Sequence, residues 1–185
     1  MKFKGLILFD IDGVIRDVSL SYRLAIKKTV ECFCEWEPSL NDIDNLKSEG
    51  IWNNDWDASL ELIKRKRKSG ASIIIPTRKD IRLVFYKFYF GADLSQSNDS
   101  FNGFINNENL LVDKDFFNKL SSLNIAWGFV SGTEHASAKF VLEKKLGLNK
   151  PPLIAMGDAP EKPDPRGFLS LIKKIFNTDL KNIKE

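Results

Sequence analysis

The sequence predicts an α/β protein: a parallel sheet with helices on its faces, interrupted early by a helical insertion. Three observations lead there. A short apolar run, Leu6 to Phe9, ends in Asp10-Ile-Asp12-Gly13, as a parallel strand does where it delivers its carboxyl end to a ligand site. Helical periodicity then dominates residues 19–109. After that, helices alternate with apolar strands, Ile125 to Val130 and Leu153 to Met156. The expected organisation is a core of residues 1–18 and 110–185, with 19–109 inserted as a helical domain.

The elements follow in order. Leu6 to Phe9 reads as a strand buried on both faces. Tyr22, Ala25, Ile26, Val30 and Phe33 recur at helical spacing, and Ser19 or Ser21 offers a cap. Pro38 ends that helix and Asn41 to Ser48 forms a second. Glu49 to Trp56 is a polar-aromatic loop, with Asp57 expected to cap the helix Ala58 to Lys68. Ser72 to Ile75 reads as a short strand or a buried connection. Asp80 to Phe90 is an aromatic-rich helix that Gly91 terminates. The Ser, Asn, Asp and Gly content of 94–109 marks a long surface loop. Helices are expected over Asp113 to Leu123, Thr133 to Leu146 and Phe168 to Phe176.

Composition excludes several classes. The 185 residues are 43% apolar and 29% charged with a formal charge of +3, a globular profile. The basic run Lys64-Arg-Lys-Arg-Lys68 lies at a helix end, where it complements the dipole. It has no interleaved aromatic platform, so no nucleic-acid partner is expected. The N-terminal apolar run is short and broken by Asp10, and no stretch reaches transmembrane length, so no membrane partner is expected. Cys32 and Cys34 fall on different faces of a helix, which suits reduced thiols and a cytoplasmic setting.

Three strand ends carry chemistry. Asp10 and Asp12 place two carboxylates at the first. At the second, Ser131-Gly132-Thr133 sets a hydroxyl and free N–H groups beside a helix start, a suitable anion site. Read structurally, it is a turn with Thr133 as N-cap. At the third, prolines stiffen the chain around Lys162 in Glu161-Lys162-Pro163-Asp164-Pro165. A carboxylate attacking a phosphoryl group meets like charge, so cations and donors aimed at the transferring oxygens are needed. Ser131, Gly132 and Lys162 would supply them, with a hard divalent cation on Asp10.

Asp10-Ile-Asp12-Gly13-Val14 with Asp17, then Ser131-Gly132-Thr133, then Lys162-Pro163, resemble in their order the motifs of the haloacid dehalogenase (HAD) superfamily. The resemblance is to the subfamily with a helical cap after the first strand, the phosphoglycolate phosphatase and phosphoglucomutase-like group. The stretches Asn53 to Trp56 and Ala155 to Lys162 also resemble a largely cyanobacterial and plant branch of it. The resemblance implies a HAD-like Rossmannoid core, Mg2+ as cofactor and a small phosphorylated substrate. It implies that Asp10 is the nucleophile and a metal ligand, forming an aspartyl-phosphate. Asp12 would be the general acid/base, with its backbone carbonyl on the metal. Ser131, Gly132 and Lys162 would bind the phosphoryl group. Placement alone nominates Arg16, Arg78, Asn53, Asn54 and Trp56 as substrate contacts, the last three from a cap loop closing over Asp10. His135 reads as a solvated helix residue.

One departure from the family pattern stands out. Its fourth motif, a strand ending in Gly-Asp with a further acid, follows the motif lysine by a helix and a strand. Here Gly157-Asp158 precedes Lys162, and only the helix Phe168 to Phe176 and residues 177–185 follow it. The expectation is a core truncated or degenerate at its C-terminal side, with Asp158 the alternative third acid. Two readings remain open: a Mg-dependent phosphomonoester hydrolase, or a HAD-like protein that binds phosphate ligands without efficient catalysis.

Overall fold

A computed structural model describes residues 3–91 and 101–176, so the expected 94–109 loop is covered only from residue 101 and residues 177–185 lie outside it. The chain divides into two compact units, Met1–Asp17 with Asn109–Glu185, and Val18–Glu108.

The first unit holds a parallel sheet in the order β1-β2-β3, with β1 at Gly5–Phe9, β2 at Ile125–Val130 and β3 at Leu153–Ile154. Gly5 stands opposite Ile125, and Phe129 opposite Leu153. β1 is not buried on both faces as expected: Ile7 is 38% exposed, because β1 pairs with β2 alone among the described residues. The burial falls just beyond the strand, where Ile11 and Ile15 are fully buried and pin the turn that carries Asp10 and Asp12.

Helix α5, Lys114–Ser122, is capped by Asp113, whose carboxylate accepts from Phe116 N–H. Its Phe117 meets Trp127 and Phe129 at ring-centroid distances of 4.9 and 5.5 Å. Helix α6 spans His135–Lys139 and runs into a π-helical turn, Phe140–Lys145. An unbroken helix from Thr133 was expected. The extra residue in the turn rephases the helix, so Ala138, Val141, Leu142 and Leu146 are all buried. The N-cap is Glu134, not Thr133. Helix α7, Arg166–Phe176, closes on β2 at Gly128, where a Cβ would lie 3.1 Å from the side chains of Leu171 and Ile175.

The chain leaves this unit and returns to it at one place. Asp17 N–H donates to Asn109 C=O at 2.9 Å, and Leu111 N–H to Ile15 C=O at 2.9 Å.

The second unit is helical: α1 Ser21–Cys34, α2 Leu40–Lys47, α3 Asp55–Lys68, α4 Arg78–Tyr89 and a 3-10 turn, Phe104–Asn107. Ala25, Ile26, Val30, Ile43, Ile63, Ile81 and Phe90 form its fully buried interior. Capping boxes at Ser39–Asp42 and Thr77–Asp80 open α2 and α4. Two expected caps are corrected. Asn54 rather than Asp57 caps α3, and α1 has Leu20 at its N-cap with no side-chain cap. Ser21 instead donates to the buried carboxylate of Glu108 at 2.6 Å, which Tyr89 also meets at 2.9 Å. Residues 72–75 form neither strand nor buried connection, and Ile74 is 92% exposed.

After α4 the chain crosses itself tightly. Gly91 has φ 78°, and a Cβ on Gly103 would sit 2.4 Å from Phe88 O, Tyr89 O and Gly91 N. Backbone atoms cannot step aside as a side-chain end can. Gly103→Ala is therefore expected to destabilise the protein by at least ~1–3 kcal/mol, read as a lower urea midpoint.

Acid stability follows from two exposed carboxylates. Arg65 and the Trp52 indole N–H bond Glu49 and hold its pKa down to about 2, and Lys27 with Lys28 does the same for Glu37. Their folded pKa values lie below the ordinary 4.5. Their contribution is thus full above pH 4.5 and lost as pH falls toward 2. Urea midpoints should drop across that window, and less so at high salt because both sites are exposed.

Candidate active site

Asp10 follows β1 directly, and its carboxylate is already engaged on both oxygens. Oδ1 accepts the Ile11 N–H at 2.8 Å, and Oδ2 accepts from Lys162 Nζ at 2.5 Å. The lysine arrives from the loop after β3, with a cis Lys162–Pro163 bond behind it, and also reaches Val130 C=O at 3.4 Å. The pair is partly open to solvent, at 35% and 40% exposure, so its value to stability is about 1 kcal/mol or less. An incoming ligand can therefore part it cheaply.

Ser131 lies at the end of β2 and is buried. Its N–H donates to Ile154 C=O, and its hydroxyl oxygen accepts from Thr133 N–H at 3.3 Å. Gly132 is exposed, with open space where a Cβ would stand. Ser131, Gly132 and Lys162 line one small cleft together with Met156 and Glu161.

Arg16 overturns its expected part as a substrate contact. It is fully buried, and its guanidinium is spent within the protein. Nε and Nη2 donate to Asp12 Oδ1 at 2.8 and 2.7 Å, and Nη2 also reaches Thr133 Oγ1 at 3.3 Å. Arg16 thus ties the Asp12 carboxylate to the loop after β2. Thr133 was missed as part of this knot; it also accepts from Met156 N–H at 2.9 Å, joining the second and third strand ends. The signal for Arg16 was the four-residue spacing from Asp12.

Asp158 is held elsewhere than on Asp10. Its Oδ1 lies 2.8 Å from His135 Nε2, and its Oδ2 accepts the Ala155 N–H at 3.0 Å. Burial pushes its pKa up, but those two hydrogen bonds and the charges of His135 and Lys174 outweigh it and leave it below the ordinary value. His135, expected to be merely solvated, is paired.

The remaining expected contacts lie within the helical unit. Asn54 Oδ1 accepts from the N–H groups of Trp56 and Asp57. Trp56 is buried, with the guanidinium of Arg78 5.1 Å from its ring centroid. Arg78 is bonded to Asp57, and Asn53 is exposed.

No family model matches the chain. A curated protein described as an imidazoleglycerol-phosphate dehydratase, from Phytophthora nicotianae, is 29% identical over 171 residues. That match covers 91% of this chain but 36% of the relative, so the chain spans about a third of that protein's length. Among solved structures, phosphatase Tt82 from Thermococcus thioreducens superposes with a TM-score of 0.70 at 23% identity, over 91% of this chain and 79% of that one. A hydrolase from Pseudomonas syringae gives 0.61 at 19% identity, over 93% and 70%. The fold is HAD-like. In this HAD-like core Asp10, Ser131 and Lys162 stand at or just beyond three successive strand ends, where open α/β sheets bind ligands. No described helix is long and apolar enough to cross a membrane.

Magnesium can be tested against the donors present. Among the described residues, no three His, Cys, Asp or Glu side chains come together as a metal group. Asp10 offers a carboxylate once Lys162 moves off Oδ2, and Asp12 a backbone carbonyl, while Asp158 is held on His135 and the Ala155 N–H. Magnesium is often held by one or two carboxylates plus substrate phosphate and water. The donors fit a weakly held ion.

Proposed function

We propose that the chain hydrolyses small phosphomonoesters, with Asp10 as nucleophile and Mg2+ held weakly by Asp10 and the Asp12 carbonyl. The observation that carries this reading is the contact between Lys162 Nζ and Asp10 Oδ2 at 2.5 Å. A cation kept on a strand-end carboxylate is suited to move onto the oxygens of an arriving phosphoryl group, neutralising charge that would otherwise repel Asp10. Ser131 and the N–H groups around Gly132 would hold the remaining oxygens. The ion, when bound, supplies further neutralisation of the phosphoryl charge. Asp12, positioned by Arg16, is assigned the proton transfers to the leaving group and from the attacking water.

The test is phosphate release from p-nitrophenyl phosphate with and without Mg2+. Slow, magnesium-dependent release is expected, and its absence across a wide Mg2+ range would refute hydrolysis. A second reading, phosphate binding without efficient catalysis, is favoured by the placement of Asp158 on His135 rather than in the metal set. Phosphate binding with no turnover would establish it. Asp158→Ala is expected to leave Mg2+ affinity unchanged within about twofold, since two protein oxygens already define the site. Equilibrium dialysis checks this, and a tenfold loss would place Asp158 among the ligands.

A further inference from the structure

A cavity of about 650 Å³ in the HAD-like unit has neither Asp10 nor Lys162 in its lining. It lies beside β3, whose outer edge pairs with no strand among the described residues, between the α6–π-helical stretch and α7. Its volume falls within the range of small-molecule sites. Leu153 and Ile154 provide an apolar floor, and Lys139, Lys150 and Lys174 stand on three different segments around it.

None of these lysines donates a hydrogen bond or forms an ion pair among the described residues. The acids beside them neutralise them only in part. Two carboxylates, Asp158 and Glu143, stand against three ammonium groups, and Asp158 also has one oxygen on His135 and the other on the Ala155 N–H. Lys150 also holds φ at 44°, a conformation that glycine or asparagine adopts with less strain.

We propose that this cavity binds a small organic phosphate carrying two negative charges, with its apolar body against Leu153 and Ile154. Three separate ammonium donors match the three terminal oxygens of a phosphate monoester, more than a single carboxylate would use. Lysines bind phosphate as point charges and need no forked geometry.

The cavity is wired to the proposed active site from two sides. His135 lies on the helix that follows Ser131-Gly132-Thr133. Asp158 lies on the loop that ends at Lys162, and its bond to Ala155 N–H fixes the start of that loop. A bound phosphate therefore touches both segments that position the Asp10 site. This makes it an effector site rather than a second reaction centre.

The proposal concerns binding and stands apart from whether Asp10 turns over substrate. The experiment is calorimetric titration of AMP into the full chain carrying Asp10→Asn and Lys162→Gln, which disables the proposed phosphoryl site and prevents hydrolysis. Adenosine is the uncharged control. AMP is expected to bind with one-to-one stoichiometry and to weaken as salt rises. Adding Lys139→Gln, Lys150→Gln and Lys174→Gln, all at exposed positions, should weaken it about tenfold or more, with unchanged circular dichroism. Equal affinity in the lysine-depleted protein, equal affinity for adenosine, or no AMP binding at millimolar concentration would each overturn the proposal.

Discussion

Asp10→Asn is expected to lower phosphomonoester turnover by on the order of 10³-fold or more, the scale on which removing a nucleophile acts. The substitution keeps the shape of the side chain and its acceptance of the Ile11 N–H. It removes the charge that faces Lys162 and the anionic ligand available to magnesium. Folding should change little, because the ion pair it breaks is more than a third exposed on both sides and is worth about 1 kcal/mol at most. The combination is the diagnostic: an unchanged urea midpoint with turnover lost. A variant that keeps ordinary turnover removes Asp10 from the chemistry.

Arg16→Met is expected to act in the opposite proportion, through stability first. The guanidinium is fully buried, and removing it leaves Asp12 facing the interior without its cation. Breaking a buried pair costs ~3–5 kcal/mol. The cost should fall near 3 kcal/mol, since the Asp12 side chain retains 29% exposure and can recover some hydration. Against a total stability of about 5–15 kcal/mol for an ordinary domain, that is a large share. Arg16→Lys should recover part of it, because an ammonium keeps the charge but cannot span Asp12 and Thr133 with one planar group. Urea unfolding of the three proteins checks the order: wild type, then Lys, then Met.

Much of the fold is legible in the sequence because its signals are local. β2 is an uninterrupted apolar run ended by a small polar turn, and it forms over Ile125–Val130 as expected. The approach of Lys162 to Asp10 was legible from the order of the motifs, although 152 residues separate the two. What failed depended on partners that a sequence window does not contain. Isoleucines at 73–75 suggest a strand, but strand preference has effect only where a neighbouring strand or a packed face receives it. Arg16 looks like a surface arginine because arginine usually is one. Its burial is decided by Asp12 four residues earlier and Thr133 far downstream. The π-helical turn is hidden for a related reason, since one inserted residue barely alters an averaged helical period.

The paired crossing at residues 15–17 and 109–111 makes the protein modular. Because Asp17 and Asn109 are hydrogen-bonded neighbours, a few-residue turn can rejoin the chain there and omit 18–108 without stretching the strands on either side. The same junction would accept a different insert whose own ends lie close together. A chain rejoined there keeps Asp10, Ser131 and Lys162, which all belong to the unit that is retained.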